Sequence, residues 1–402
     1  MHQFQIEDLL NAAFKEEHDG LNARELFDRK IEAYGVAKSK ALEFLGIDKD
    51  VFEEIISGKA KQPNLIHVVK LAEFLEVGLQ EMVNAVLKSQ SAETISSLDR
   101  ARKATFLLKH FDLKRLEALG FLEKKADLNA IVTRLLDFFG YENISAFEEG
   151  LEEPLYSRRN KRLFTDKMKK FWVDAAYRVF QSINNPNEYD REGVKDIIAK
   201  AKPFTIDVEN GLLVVCRALY DCGVTVIAQA QLPTTQVRGG TFVVNGKPCI
   251  VLTDLGKRYP TIWTTLIHEL HHVIFDLEII EKTKIHLTDD GQADLLLIED
   301  KANEFMMEYF CSVAQFQYIK PHIHNTLVVK RFAADLQIHP SMIYNAYQFY
   351  QQKFYNKDYW AAFSSEIPKS TVALSKISAV TWKEASITEI AQNLKKIFEL
   401  NI

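Results

Sequence analysis

Residues 261–276 read TIWTTLIHELHHVIFD, and they contain the pattern His-Glu-x-x-His at positions 268–272. Residues four apart on an α-helix share one face, so His268 and His272 can bind one metal ion through their imidazoles. Glu269 follows the first histidine and can reach a water on that metal. Zinc lowers the pKa of a bound water to about 7, and a nearby carboxylate can then take its proton. The motif therefore predicts a metal-dependent hydrolase with Glu269 as the general base.

The residues around the motif predict that its helix is buried. A buried helix that carries two histidines and a glutamate must pair these groups, because unpaired buried polar groups are costly. A metal ion pairs them; the alternative is a hydrogen-bonded pair of core histidines without a metal. His271 lies on another face, and we expect it to support the ligands or face solvent. The apolar positions are Ile262, Trp263, Leu266, Ile267, Leu270, Val273, Ile274 and Phe275.

A second helical segment offers a third ligand. A catalytic zinc usually has three protein ligands and one open position. The segment 297–307 reads LIEDKANEFMM, and Glu299 and Asn303 lie one turn apart on it. Glu299 is the candidate third ligand, and Asn303 is a candidate hydrogen-bond partner of a ligand. The alternative is that Glu299 is an ordinary solvated carboxylate, since most glutamates lie on the surface.

Both segments together resemble the ImmA/IrrE family of zinc metallopeptidases, which has HExxH followed by E-x-x-A-N-x-F, here at 299–305. The resemblance implies that His268, His272 and Glu299 bind zinc and that Glu269 is catalytic. The separation, 299 − 272 = 27 residues, is typical of the family. The family usually has glycine where this chain has His271. Alternating segments at 223–227, 240–244 and 247–252 are similar to the small sheet that precedes the motif helix in that family.

The N-terminal part has its own pattern. Helical segments between residues 23 and 88 are separated by Gly46 and Gly58. This stretch resembles the Xre (Cro/C1-type) helix-turn-helix family, which implies a DNA-binding bundle. The basic side chains nearest the expected DNA backbone are Lys38, Lys40, Lys49, Lys59 and Lys61.

Charge argues against DNA binding by this bundle. The helix expected in the major groove begins near Asp48 and carries Asp50, Glu53 and Glu54 against Lys49. Phosphate binding needs the opposite sign. A protein-interaction module is therefore the alternative. Another basic run, Arg-Arg-Asn-Lys-Arg at 158–162, could bind phosphate or form a solvated face.

Composition describes an ordinary globular chain. The 402 residues are 47% hydrophobic and 26% charged, and the net charge of −5 gives no general attraction to nucleic acid or anionic membrane. No apolar run has the length of a membrane span, and the N-terminus lacks a signal-peptide core. The four cysteines fit no metal-ligand spacing and indicate buried thiols in the cytoplasm.

Several aromatic and histidine residues remain without a definite role. The tail at 332–344 predicts helix, turn, helix. Because a peptidase needs a donor for the tetrahedral intermediate, tyrosines are candidates, although the sequence selects none of them. They are Tyr309, Tyr344 and Tyr347. The remaining histidines receive no metal role: His286, His322, His324 and His339.

These observations predict an α+β, mainly α protein. We expect an Xre-type helix-turn-helix domain at 1–95, a helical connecting region at 96–203, and a zincin-like ImmA/IrrE-type domain with a small sheet and helical tail at 204–402. The predicted function is a cytoplasmic zinc endopeptidase that cleaves a protein partner such as a repressor in transcriptional, stress or phage-defence regulation. The alternative is a non-catalytic antitoxin or repressor that binds a toxin and promoter DNA. A homodimer is the default for helix-turn-helix proteins.

Overall fold

The computed structural model describes residues 23–60, 63–89, 92–150, 166–233, 235–289, 296–359, 361–377, 382 and 386–400. They divide into two compact units. The described residues up to Lys109, with Asp127–Val132, form the first, and His110–Ala126 with the described residues from Thr133 onward form the second. The basic run at 158–162 and Lys61 lie outside the described residues.

The first unit is helical around an apolar core. Phe27, Phe52, Leu71 and Met82 are completely buried in it. Its second helix ends at Gly46, where φ is +60°, a left-handed conformation that glycine adopts without a Cβ penalty. The helices are α1 Ala23–Ala33, α2 Lys38–Leu45, α3 Lys49–Ile56, α4 Leu65–Leu75, α5 Leu79–Ser89 and α6 Ala92–His110, whose last residue belongs to the second unit.

The second unit contains most of the chain. Its helices are α7 Leu113–Leu119, α8 Leu128–Phe139 (which begins in the first unit), α9 Ile144–Gly150, α10 Lys167–Ile183, α11 Arg191–Lys200, α12 Gly211–Asp221, α13 Tyr259–Phe275, α14 Leu277–Thr283, α15 Leu296–Phe310, α16 Val313–Ile319, α17 Thr326–Asp335, α18 Pro340–Tyr355, α19 Ser370–Leu374 and α20 Ile387–Glu399. Short 3-10 turns occur at Lys202–Ile206, Lys320–His322 and Ser364–Glu366. The tail prediction is confirmed, because α17 and α18 are separated by Gln337 at φ +56°.

A small mixed sheet supports the long helix α13. Its strands are β1 Thr225–Gln229, β2 Val237–Val244, β3 Lys247–Thr253 and β4 Ile285–Asp289, in the order β1-β3-β2-β4. The β1–β3 pair is parallel, whereas β2 pairs antiparallel with β3 and with β4. The protein is thus mainly helical with one four-stranded sheet in the described residues, as expected for an α+β, mainly α chain. The predicted strands correspond to β1, β2 and β3; β4 was not anticipated.

Among the described helices, none is both long enough and apolar enough to cross a membrane.

Candidate metal centre

Helix α13 carries the His-Glu-x-x-His motif through the interior of the second unit. It begins with Pro260 in its first turn, where the missing N–H of proline is not needed. His268 is 3% exposed, and Glu269 and His272 are completely buried. The predicted burial of this helix is confirmed. Three ionisable side chains in an apolar interior require partners, and the neighbouring elements supply them.

Helix α15 packs on α13 and brings Glu299 to the two histidines. The Nε2 atoms of His268 and His272 lie 3.2 Å apart. His268 Nε2 is 3.3 Å from Oε2 of Glu299. His272 Nε2 is 3.5 Å from Oε1 of the same carboxylate. The two motif histidines and the downstream glutamate therefore converge on one point.

These separations fit a tetrahedral zinc. Zn–N and Zn–O bonds of about 2.0–2.2 Å at the tetrahedral angle place neighbouring ligand atoms about 3.3–3.6 Å apart. The three distances, 3.2, 3.3 and 3.5 Å, are close to this range. The side chain of Glu299 is 23% exposed, so the cluster opens to solvent on its side. The donor set of two imidazoles and one carboxylate is one that zinc binds, with a fourth position left over.

Asp276, directly after α13, holds the second histidine. Its Oδ2 lies 2.9 Å from Nδ1 of His272. A proton on that nitrogen leaves Nε2 free to bind a metal, and this carboxylate–histidine arrangement is common around zinc. Oδ2 is also 3.7 Å from Nδ1 of His271, a buried nitrogen without a hydrogen-bond partner among the described residues. His271, His272 and Asp276 thus form a second group whose ligand atoms lie within 4.8 Å of one another.

Glu269 is held by the sheet. Its Oε2 accepts a hydrogen bond of 2.7 Å from Thr241 Oγ1 on β2. Its Oε1 accepts one of 2.6 Å from Thr288 Oγ1 on β4. Both oxygens of the candidate base are therefore engaged, although each keeps a second lone pair that can accept a proton.

A glycine permits this close approach of helix and sheet. A Cβ atom at Gly239 on β2 would lie 2.9 Å from Oε1 of Glu269 and 2.6 Å from Cγ2 of Thr265. Both distances are shorter than side chains tolerate in a packed interior. Gly239 pairs with Thr288 across the two strands, and Thr241 pairs with His286. The polar groups that meet α13 thus come from one face of the β2–β4 pair, since alternate residues share a face.

His286 is a member of the cluster that sequence analysis left without a role. Its Nε2 lies 2.6 Å from Oε1 of Glu299. Its ring centroid is 4.5 Å from that of His272. A signal was present in the sequence, because Ile285 and Leu287 alternate with His286 and Thr288 as in a strand with one polar face.

The ionisable side chains of the cluster shift one another's pKa values. Burial opposes ionisation of Glu299, but hydrogen bonds with His268, His272 and His286 hold its pKa well below the usual range. Burial likewise opposes a charged His272, but its hydrogen bonds with Asp276 and Glu299 raise its pKa to about 9. The carboxylate is therefore ready to bind a cation, and a metal must displace a proton from His272 at neutral pH.

His271 has the opposite tendency. Burial lowers the pKa of His271 to about 4, and the neighbouring His272 adds to the effect. Its ring also contacts Phe275 and Phe305, with centroids 4.8 and 5.5 Å away. The His271 side chain is therefore accommodated in an apolar setting, as a neutral ring.

Other candidate residues have partners outside the group of three candidate ligands. Asn303 is half-buried on α15, and within the described part of the chain it has no hydrogen bond to the three candidate ligands. The hydroxyl of Tyr309 donates to the carbonyl of Ile198 at 2.7 Å, so it is committed elsewhere. Tyr344 and Tyr347 pack against the ring of Phe363.

The candidate DNA-binding lysines of the first unit have mixed surroundings. Lys38 pairs with Glu53 at 2.6 Å, and Arg24 contacts the same carboxylate at 2.6 Å. The hydrogen bonds from Lys38 and Arg24 lower the pKa of Glu53 to about 2. These ion pairs therefore persist at neutral pH and weaken as the pH falls toward 2.

The other described candidate lysines are all exposed, and one of them forms an ion pair. Lys40 pairs with Glu43 at 2.9 Å on the same helix. Lys49 and Lys59 are exposed. Two of the four candidate lysines that the structure describes thus form ion pairs with acidic neighbours. These pairs reduce the positive charge that can bind DNA phosphates.

Comparison of the chain with protein-family models, with curated proteins and with solved structures finds no match.

Proposed function

We propose that this chain is a zinc-dependent endopeptidase of the ImmA/IrrE type, with zinc bound by His268, His272 and Glu299 and with Glu269 as the general base. The observation that carries the proposal is the convergence of the three ligand atoms at 3.2–3.5 Å, the spacing that one tetrahedral zinc imposes. A hydrogen-bonded histidine pair would account for the first of these distances, but it does not require a carboxylate from another helix beside both rings.

The chemistry follows from the positions of these groups. Zinc, when bound, would polarise the scissile carbonyl and make a water more acidic. Glu269 accepts the proton of the attacking water and can pass it to the departing amine. The hydroxyls of Thr241 and Thr288 restrict this carboxylate to one orientation, which lowers the entropy cost of each proton transfer. Asp276 keeps Nδ1 of His272 protonated and its Nε2 directed at the metal.

The proposal extends to the rest of the chain. Helices α1–α5, with the left-handed turn at Gly46 after α2, support a helix-turn-helix module of the Xre type. A peptidase joined to such a module suits a cytoplasmic regulator that cleaves a repressor or a toxin-linked protein, as a homodimer and in a phage-defence or stress response. Promoter DNA is a proposed partner, with Lys49 and Lys59 the side chains most available to it.

A second candidate function has its own support. Glu269 is completely buried, and both of its oxygens accept hydrogen bonds from threonines. Such a carboxylate stabilises the packing of α13 on the sheet whether or not it moves protons. This favours a non-catalytic antitoxin or repressor, in which the metal domain is a scaffold that binds a toxin.

Glu269→Gln separates the two functions. The variant keeps the side-chain volume and an oxygen for one threonine, so the protein should fold and bind about one zinc per chain. Zinc-loaded wild type and variant are incubated with cell extract, and new peptide N-termini are identified by mass spectrometry. Removal of a general base should reduce cleavage by about 10²–10⁴-fold.

Glu304→Gln, an exposed change on α15, is the matched control and should cleave like wild type. If Glu269→Gln cleaved as fast as wild type, Glu269 could not be the general base. If neither wild type nor Glu269→Gln produced new termini, and both retained the same partner tightly, the non-catalytic antitoxin or repressor function would be favoured.

A further inference from the structure

We propose that His286 is a positioning residue for the zinc site: it donates a hydrogen bond to Glu299, fixes that carboxylate against the two histidines, and does not itself bind the metal. The inference rests on the zinc site of the proposed function. It concerns a residue that the His-Glu-x-x-His pattern does not contain, on a strand that the sequence did not predict.

The contact between these two side chains is short and sheltered. Nε2 of His286 lies 2.6 Å from Oε1 of Glu299, the length of a strong charge-assisted hydrogen bond. The histidine side chain is 9% exposed, and the carboxylate is 23% exposed. Water therefore competes weakly for the imidazole and more strongly for Glu299, which is the side chain that needs to be held.

The same distance argues that His286 is not a fourth ligand. Two atoms bound to one tetrahedral zinc lie about 3.3–3.6 Å apart. The pairs among the candidate ligands lie at 3.2, 3.3 and 3.5 Å, whereas the His286–Glu299 pair lies at 2.6 Å. The group of three that could hold one ion contains His268, His272 and Glu299 without His286. With His286 outside the coordination sphere, the fourth zinc position stays open for water and substrate.

The location of His286 suits this role. It sits on β4 opposite Thr241 of β2, and Thr288 lies two residues further on the same face. One strand face therefore serves both acidic groups of the centre: Thr288 donates to Glu269, and His286 donates to Glu299. A carboxylate has four lone-pair sites, so Glu299 can accept from His286 and still bind a metal. Residues that orient ligands in this way typically change metal affinity by about 10–100-fold.

Two substitutions separate the hydrogen bond from simple packing. His286→Phe keeps an aromatic ring but has no donor, whereas His286→Gln lacks the ring but keeps an N–H near the position of Nε2. Zinc affinity of the full-length chain is measured by competition with a chromophoric chelator. We expect His286→Phe to bind zinc about 10–100-fold more weakly and His286→Gln to bind within a few-fold of wild type. His322→Gln changes an exposed histidine and should bind as wild type does.

The outcomes that overturn the inference are distinct from those that overturn the zinc site. If His286→Phe bound zinc with wild-type affinity, the hydrogen bond would not be needed. If only His286→Gln bound zinc more weakly, the ring would matter for packing and not for positioning. The Co²⁺-loaded protein tests ligation directly: a visible spectrum in His286→Gln that loses intensity and shifts would make His286 a ligand and overturn the positioning role. Wild type that binds neither zinc nor Co²⁺ would instead refute the proposed function.

Discussion

Replacement of Glu299 by alanine is the most informative perturbation of the candidate centre. Structural zinc sites are worth about 10–16 kcal/mol, so each of four ligands contributes about 2.5–4 kcal/mol. At about 1.4 kcal/mol per factor of ten, the loss of one ligand should weaken zinc binding by two to three orders of magnitude. The carboxylate is near three imidazoles, at 2.6, 3.3 and 3.5 Å, so its removal also leaves His286 without its acceptor. Because His286 acts on zinc only through Glu299, this second loss should not weaken zinc binding further.

The assay is a zinc titration against a chromophoric chelator, with zinc content measured by elemental mass spectrometry. Wild type should hold about one zinc per chain after a desalting column, and Glu299→Ala should hold much less. Glu304→Ala provides the control, because it removes the same charge from an exposed position on the same helix. Circular dichroism and thermal melting establish that both variants are folded.

A second group of side chains offers a different position for the zinc. His271, His272 and Asp276 form the second group of ligand atoms within 4.8 Å. If zinc binds there, Glu299→Ala should leave the affinity unchanged and Asp276→Ala should abolish it. We propose that Asp276 only orients His272. The loss of Asp276 should therefore lower the zinc affinity by about 10–100-fold, which is less than the effect of losing Glu299. The rank order of the two variants therefore decides between the two positions.

Three further predictions concern charge, pH and packing. Glu53→Gln should release Lys38 from its ion pair and strengthen binding to random-sequence duplex DNA, with a steeper salt dependence, measured by fluorescence anisotropy. Zinc affinity should fall about tenfold per pH unit as the pH decreases from 9 toward 6, because the metal displaces the proton of His272, whose pKa in the metal-free protein is raised to about 9. Gly239→Ala should lower the free energy of unfolding by about 1–3 kcal/mol, seen as a lower melting temperature, since its Cβ would meet Glu269 at 2.9 Å.

Matched controls accompany these experiments. Glu54→Gln makes the same charge change on α3 at an exposed position, so an equal gain in DNA binding there would contradict the release of a specific lysine. A pH-independent affinity between 6 and 9 would mean that His272 carries no proton for zinc to displace. Gly78→Ala introduces a Cβ with nothing within 4 Å, and a melting temperature lowered as much as by Gly239→Ala would disprove the steric argument.

Local pattern was sufficient for the elements that carry the motif. The i, i+4 spacing of His268 and His272 puts both imidazoles on one face of any helix, whatever surrounds it. Apolar residues on several faces predicted that α13 is buried, and alternation predicted the strands β1, β2 and β3. These features depend on the pattern within one segment, so they can be predicted without knowing which segments pack against it.

Strand β4, which is as long as the predicted strand β1, was missed because its polar face resembles a loop. Ile285 and Leu287 are buried in the hydrophobic core, but the alternating His286 and Thr288 form hydrogen bonds with Glu299 and Glu269. A strand whose alternate residues are committed to ionic groups has a weak apolar signal.

The amino-acid sequence alone was enough to predict two candidate ligands and their helix, because a repeat of one turn is a local property of the chain. The other contacts arise only from the packing of distant segments: the approach of Glu299 from α15, the position of His286 beside it, the two threonines on Glu269, and the pairing of Lys38 with Glu53. Each of these contacts joins segments separated in the chain, and the distances between them depend on how helices and strands pack. No periodicity within a segment encodes such distances.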